Sequence, residues 1–118
     1  MKFSFILGTL NRPKELKYGI ESLLAQKYEE FEIIVVDQST DDLTKIMLES
    51  FDDSRIIYNH VDFKGLSKAR NYAIGMASGT YICLTDDDAY YDVDYLSALK
   101  NIMKKNQIIL SLVICGMR

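Results

Sequence analysis

The apolar positions of the chain fall in blocks whose period switches between two and about 3.6 residues. Over Lys2–Gly8, the β-prone Phe3, Phe5, Ile6 and Leu7 predict a strand, with Gly8 permitting a tight exit. Polar residues from Thr9 to Arg12 follow, and the fixed φ of Pro13 then suits a first helical turn. Leu16, Ile20, Leu23 and Leu24 give that helix one apolar face. Glu32–Val36 holds the unbroken run Ile33-Ile34-Val35-Val36, which suits a central parallel strand buried on both faces. Beyond it, Ser39 and Asp42 stand at capping-box spacing ahead of a helix reaching about Phe51, with Leu43, Ile46, Met47 and Phe51 on one side.

Arg55–His60 predicts a short third strand after the Asp52-Asp53-Ser54 turn. A helix over Ser67–Ala77 would present Ala69, Ala73, Ile74 and Ala77 to a sheet, and Gly79 is placed as its stop. Thr80–Thr85 predicts the fourth strand. Asp92 can cap a final helix with Leu96, Leu99, Ile102 and Met103 inward and Lys104 and Lys105 at its negative end. Ile108–Cys115 is a last apolar run.

Strand–helix alternation of this kind implies an α/β, Rossmann-like fold: a mostly parallel sheet with helices on both faces and right-handed crossovers. With parallel strands, the polar clusters Thr9 to Arg12, Asp37 to Thr40 and Asp86 to Asp88 share one rim. Doubly wound folds bind ligands at that rim.

Composition narrows the function. At 118 residues the chain is expected to be a single domain, 1–118. A formal net charge of −3 argues against a nucleic-acid partner held by broad electrostatic attraction. No apolar run approaches the roughly 18 residues of a membrane span. Cys83 and Cys115 lie in apolar strand-like runs and read as buried reduced thiols, so the cytoplasm is the expected compartment. His60, the lone histidine, reads as structural or exposed.

The candidate chemistry sits in Asp86-Asp87-Asp88. Three adjacent carboxylates repel one another, and a cation relieves that repulsion. Mg²⁺ and Mn²⁺ suit the role, since they take oxygen ligands and bridge carboxylates to phosphates. Four blocks in order then resemble the nucleotide-binding half of a family 2 glycosyltransferase with the GT-A fold. They are Thr9-Leu10-Asn11-Arg12, Val35-Val36-Asp37-Gln38-Ser39-Thr40-Asp41, Gly65-Leu66-Ser67-Lys68-Ala69-Arg70-Asn71, and Thr85-Asp86-Asp87-Asp88, the last being the family's Asp-x-Asp motif.

The resemblance implies transfer of a sugar from a nucleotide diphosphate donor to an acceptor, with inversion at the anomeric carbon. It implies Mn²⁺ or Mg²⁺ on Asp88 and Asp86, and a ribose hydroxyl on one of Asp86 and Asp87. Thr9, Leu10, Asn11, Arg12, Asp37 and Gln38 would belong to the donor pocket, with Lys68 and Arg70 toward phosphate. Many relatives carry an aromatic residue at the Leu10 position and an acidic one at the Gln38 position. A Gln amide both donates and accepts, leaving uridine, thymidine and guanosine donors open.

Relatives also continue into an acceptor-binding half that carries the catalytic base. No residue here matches that base, so the chain is expected to be the donor-binding portion, with the acceptor-binding half absent. The full-length enzyme would meet a glycan or lipid-linked acceptor at the inner membrane surface, and self-association could run through the apolar C-terminal edge. A non-catalytic nucleotide-sugar-binding fragment is the alternative. A phosphoacceptor receiver domain would need an acidic pair after the first strand, and a dinucleotide-binding domain a Gly-rich turn there; the chain has Gly8-Thr9-Leu10-Asn11.

Overall fold

The computed structural model describes residues 1–106 and the strand 112–114, with side chains to Met103. The elements are β1 (Phe3–Thr9), α1 (Pro13–Leu24), β2 (Phe31–Asp37), α2 (Leu43–Glu49), β3 (Ile56–His60), α3 (Leu66–Ile74), β4 (Tyr81–Leu84), α4 (Tyr95–Asn106) and β5 (Leu112–Ile114). The five strands among the described residues are all parallel, in the order β3-β2-β1-β4-β5. The α/β architecture is therefore as expected. Of the last apolar run only Leu112–Ile114 is described, as backbone; Cys115 and the side chains of Lys104 and Lys105 lie outside the described residues.

Strand alternation divides the core into two layers. Phe3, Phe5 and Leu7 of β1 join Phe31, Ile33 and Val35 of β2 on the face covered by α1, α2 and α4. Ile6, Ile34 and Val36 point the other way, against Ala69 and Ala73 of α3. Chain order reverses at β1, since β2 and β3 lie on one side of it and β4 on the other. The crevice at the carboxyl ends of β1 and β4 is thus the topological switch point.

Several local expectations are corrected. α2 turns inward through Thr44, Met47, Leu48 and Phe51, leaving Leu43 and Ile46 exposed. Thr44 sits within 3.4 Å of the Ser39 hydroxyl, which fixes that phase. The Ser39–Asp42 capping box does not form; Asp41 Oδ1 instead accepts from the Leu43 amide at 3.0 Å. α3 ends at Ile74, which is exposed, as is Ile102 of α4. Asp92 receives α4 through its carbonyl, and Gln26 Oε1 accepts from the Leu96 amide at 3.0 Å.

Gly79 is no helix stop. Its amide donates to Ser4 Oγ at 2.8 Å, and a Cβ there would come within 2.4 Å of that oxygen. This contact belongs to a buried network at the amino-terminal rim. Glu32 Oε2 accepts from Ser4 Oγ at 2.6 Å and from the Ser78 amide at 2.7 Å, while Oε1 accepts from Ser78 Oγ at 3.0 Å and pairs with Lys2 Nζ at 3.5 Å. Burial would push the Glu32 carboxyl up, but these donors outweigh it and hold it below the usual range.

Candidate functional site

The opposite rim carries the clusters singled out in the sequence. Thr9 closes β1 in register with Asp37 at the end of β2, and Asp86 to Asp88 follow β4 directly. Thr9 Oγ1 donates to Asp87 Oδ2 at 3.0 Å, and Arg12 Nε donates to the same oxygen at 3.1 Å. The Arg12 guanidinium also reaches Asp88 Oδ2 at 3.6 Å, and Arg70 reaches Asp86 Oδ1 at 3.5 Å. Each of the three carboxylates therefore meets an arginine. Asp87 is half-buried, and desolvation pushes its carboxyl up; Thr9 and Arg12 oppose this, while neighbouring Asp88 adds to it.

The β2 end is organised around Asp37. This residue is fully buried, with Oδ1 accepting from the Ser39 amide at 2.9 Å and Oδ2 from the Tyr58 hydroxyl at 2.6 Å. Burial, then the hydrogen bond to Asp37, pushes the Tyr58 phenol far up, so it stays a donor. The Gln38 amide Nε2 donates to Gly65 O at 3.0 Å, which brings the start of α3 to the end of β2. Lys64 Nζ donates to Gln38 O at 2.8 Å. Asn11 adopts a left-handed φ of 54°, donates its amide to Ser39 Oγ at 2.8 Å, and accepts from the Thr40 amide at 3.1 Å. It staples the loop after β1 to the loop after β2.

Leu10 and Lys68 are the outliers. Leu10 is exposed at the rim, and Lys68 is exposed near the start of α3 with no ion pair among the described residues. His60 is exposed, with its Nε2 at 3.0 Å from Ser39 O, which fits the structural reading. Tyr58 and Lys64 were not expected at this site. Only the strand register, which sets Tyr58 beside Val35, puts its hydroxyl within reach of Asp37. A cavity of about 590 Å³ between α2 and β3, lined by Lys45, Leu48, Glu49, Ile56 and Tyr58, touches this constellation only through Tyr58.

A divalent cation can be tested against the donor set. Asp86 and Asp88 keep 46% and 43% of their side-chain surface exposed, so their carboxylates can be reached from outside. Among the described residues, no group of three or more His, Cys, Asp or Glu side chains is arranged to hold a metal ion. One or two carboxylates completed by phosphate oxygens and water is how Mg²⁺ and its like are commonly bound. The residues present fit such a shared site, not an all-protein cage. No helix among the described residues is long and apolar enough to cross a membrane.

Residues 4–117 match the family model described as glycosyl transferase family 2. The chain is 36% identical over 111 residues to an uncharacterized glycosyltransferase of Rickettsia bellii, covering 93% of this chain and 16% of that protein. It is 33% identical over 109 residues to the Escherichia coli UDP-Glc:alpha-D-GlcNAc-diphosphoundecaprenol beta-1,3-glucosyltransferase WfaP, covering 92% of this chain and 43% of WfaP. Among solved structures, S. aureus TarS 1-349 in complex with UDP-GlcNAc superposes with a TM-score of 0.82 at 28% identity, covering 91% of this chain and 32% of TarS. The chain thus spans less than half the length of each of these proteins.

Proposed function

Because the chain belongs to glycosyl transferase family 2, we propose that it is the donor-binding portion of an enzyme moving a sugar from a nucleotide diphosphate to an acceptor hydroxyl with inversion. The observation that carries this reading is the meeting of Thr9 and Arg12 with Asp87 at the switch point, beside the reachable carboxylates of Asp86 and Asp88. Asp88 and Asp86 would hold Mn²⁺ or Mg²⁺, which supplies charge neutralisation for the departing nucleotide diphosphate. Thr9, Leu10, Asn11, Asp37 and Gln38 line the base and ribose side, and Asp86 or Asp87 accepts from a ribose hydroxyl. Arg12, Arg70 and Lys68 supply positive charge to the diphosphate; Lys68 lies in the first turn of α3, whose amino end also favours anions.

Tyr58 and Ser39 orient the Asp37 carboxyl, and Gly65 O holds the Gln38 amide, so the side chains of the base pocket are held by the protein itself. The general base and the acceptor site are assigned to sequence outside this chain. A lipid-linked acceptor is proposed on the likeness to WfaP, and with it a place of action at a membrane surface.

The test is a titration of the chain with UDP-, dTDP- and GDP-sugars, with and without Mn²⁺. Binding of at least one donor that strengthens with Mn²⁺, and loses that dependence in Asp88→Ala, is expected. A variant that binds as the parent does in both conditions removes Asp88 from the site.

A further inference from the structure

The segment from Thr85 to Tyr91 carries all three acidic residues, and its two ends are tied to each other and to α1. The Thr85 and Tyr91 hydroxyls hydrogen-bond to one another, and both side chains are almost fully buried. The Tyr91 amide donates to Ser22 Oγ at 3.0 Å, and Ser22 Oγ donates to Gly19 O at 2.7 Å. Inside the loop the Ala89 amide returns to Asp86 O at 3.2 Å. The Tyr91 ring itself is locked, its centroid 5.8 Å from that of Phe5 and 5.0 Å from that of Tyr95.

We infer that the Thr85–Tyr91 hydroxyl pair is a clasp that sets the positions of the Asp86, Asp87 and Asp88 carboxylates. Tyr91 and Thr85 are thereby positioning residues for the charged ligand those carboxylates take. The inference rests on the donor-binding reading and adds to it residues that touch no donor. The physical reason is short range. Asp86 and Asp88 sit one and three residues from a clasped end, and Asp87 is held from the far side by Thr9 and Arg12. With the clasp open, the loop's second end keeps the Ser22 hydrogen bond and the ring contacts with Phe5 and Tyr95, but it loses the bond that ties it to Thr85, next to Asp86. Groups that hydrogen-bond a ligating carboxylate directly are worth roughly 10–100-fold in metal affinity, and the clasp, acting through the backbone, is set at the low end of that range.

Tyr91→Phe keeps the ring against Phe5 and Tyr95 and deletes only the hydroxyl; Thr85→Val deletes the other half. On the 118-residue chain, Mn²⁺ binding is read by electron paramagnetic resonance, and binding of UDP, dTDP and GDP in the presence of Mn²⁺ by calorimetry. Each single variant is expected to weaken Mn²⁺-dependent binding about tenfold. The double variant should be no weaker than either single, and Thr85→Ser should restore the parent value. Leu99→Ala, which thins the same core layer from α4, should lower the melting temperature without moving the affinity, separating positioning from stability. Parent-like affinity in both Tyr91→Phe and Thr85→Val overturns the clasp and leaves donor binding standing. A parent that binds neither Mn²⁺ nor any of the three nucleotides overturns the donor reading, and the clasp with it.

Discussion

Replacing Gly19 by alanine sets two effects of opposite sign against each other. Gly19 is buried within α1, where alanine is intrinsically better by about 1 kcal/mol. Yet a Cβ at this position would lie 2.7 Å from the Ala89 carbonyl oxygen and 3.7 Å from that of Asp87. Both are main-chain atoms, so no side-chain tip can swing aside; the acidic loop or the helix must move. Overpacking of this kind costs about 1–3 kcal/mol. The net expectation is a loss of about 0–2 kcal/mol, measurable as a lower urea midpoint with an unchanged slope. Because the displaced atoms belong to the segment carrying Asp87 and Ala89, Mn²⁺-dependent nucleotide binding should weaken more than stability alone accounts for. An alanine variant stabilised by the full helix term, with binding intact, would show that the loop yields freely, and would refute a loop position dictated by contact with α1.

Glu32 offers a test at the other rim. Its carboxyl is held below the unfolded range, so its stabilisation is complete above about pH 5 and is lost as pH falls through the unfolded value and on through the folded one. Glu32→Gln should cost about 1.5–3 kcal/mol at neutral pH and flatten the acid limb of a stability–pH curve; an acid limb as steep as the parent's would place the titrating group elsewhere. Arg12→Gln removes a guanidinium that neutralises Asp87 and Asp88, so Mn²⁺ alone should bind a few-fold tighter, and weaker binding would count against simple charge competition.

Much of this arrangement is legible in the sequence, and what is not has a common physical cause. Ile33-Ile34-Val35-Val36 announced a strand buried on both faces, because no polar position interrupts it. Asp86 to Asp88 could be set at a strand end because the apolar run stops where they begin. The helix faces were harder. In α2 the buried polar Thr44 took the place expected of Leu43, since Ser39 offers its hydroxyl a partner that no periodicity reveals. Gly79 looked like a helix stop, but its bareness serves a contact with Ser4, 75 residues earlier. Gln26 as the partner of α4, and Tyr58 as the partner of Asp37, likewise depend on which elements become neighbours across the fold. Such pairings carry no local signature.

The bonds from Thr9 and Arg12 to Asp87 join residues 78 and 75 positions apart, across the two strands where chain order reverses. Whatever settles on this rim grips the beginning and the later part of the chain together. Occupancy and folding are therefore linked by mass action, because the unfolded chain has no such meeting point. A ligand present at a hundred times its dissociation constant raises the unfolding free energy by about 2.7 kcal/mol. Openings that part β1 from β4 without unfolding the rest should be suppressed in the same measure, and amide exchange along those two strands should slow on binding. The melting temperature then becomes a reporter of rim occupancy, needing neither an acceptor nor turnover to show which nucleotide the site prefers.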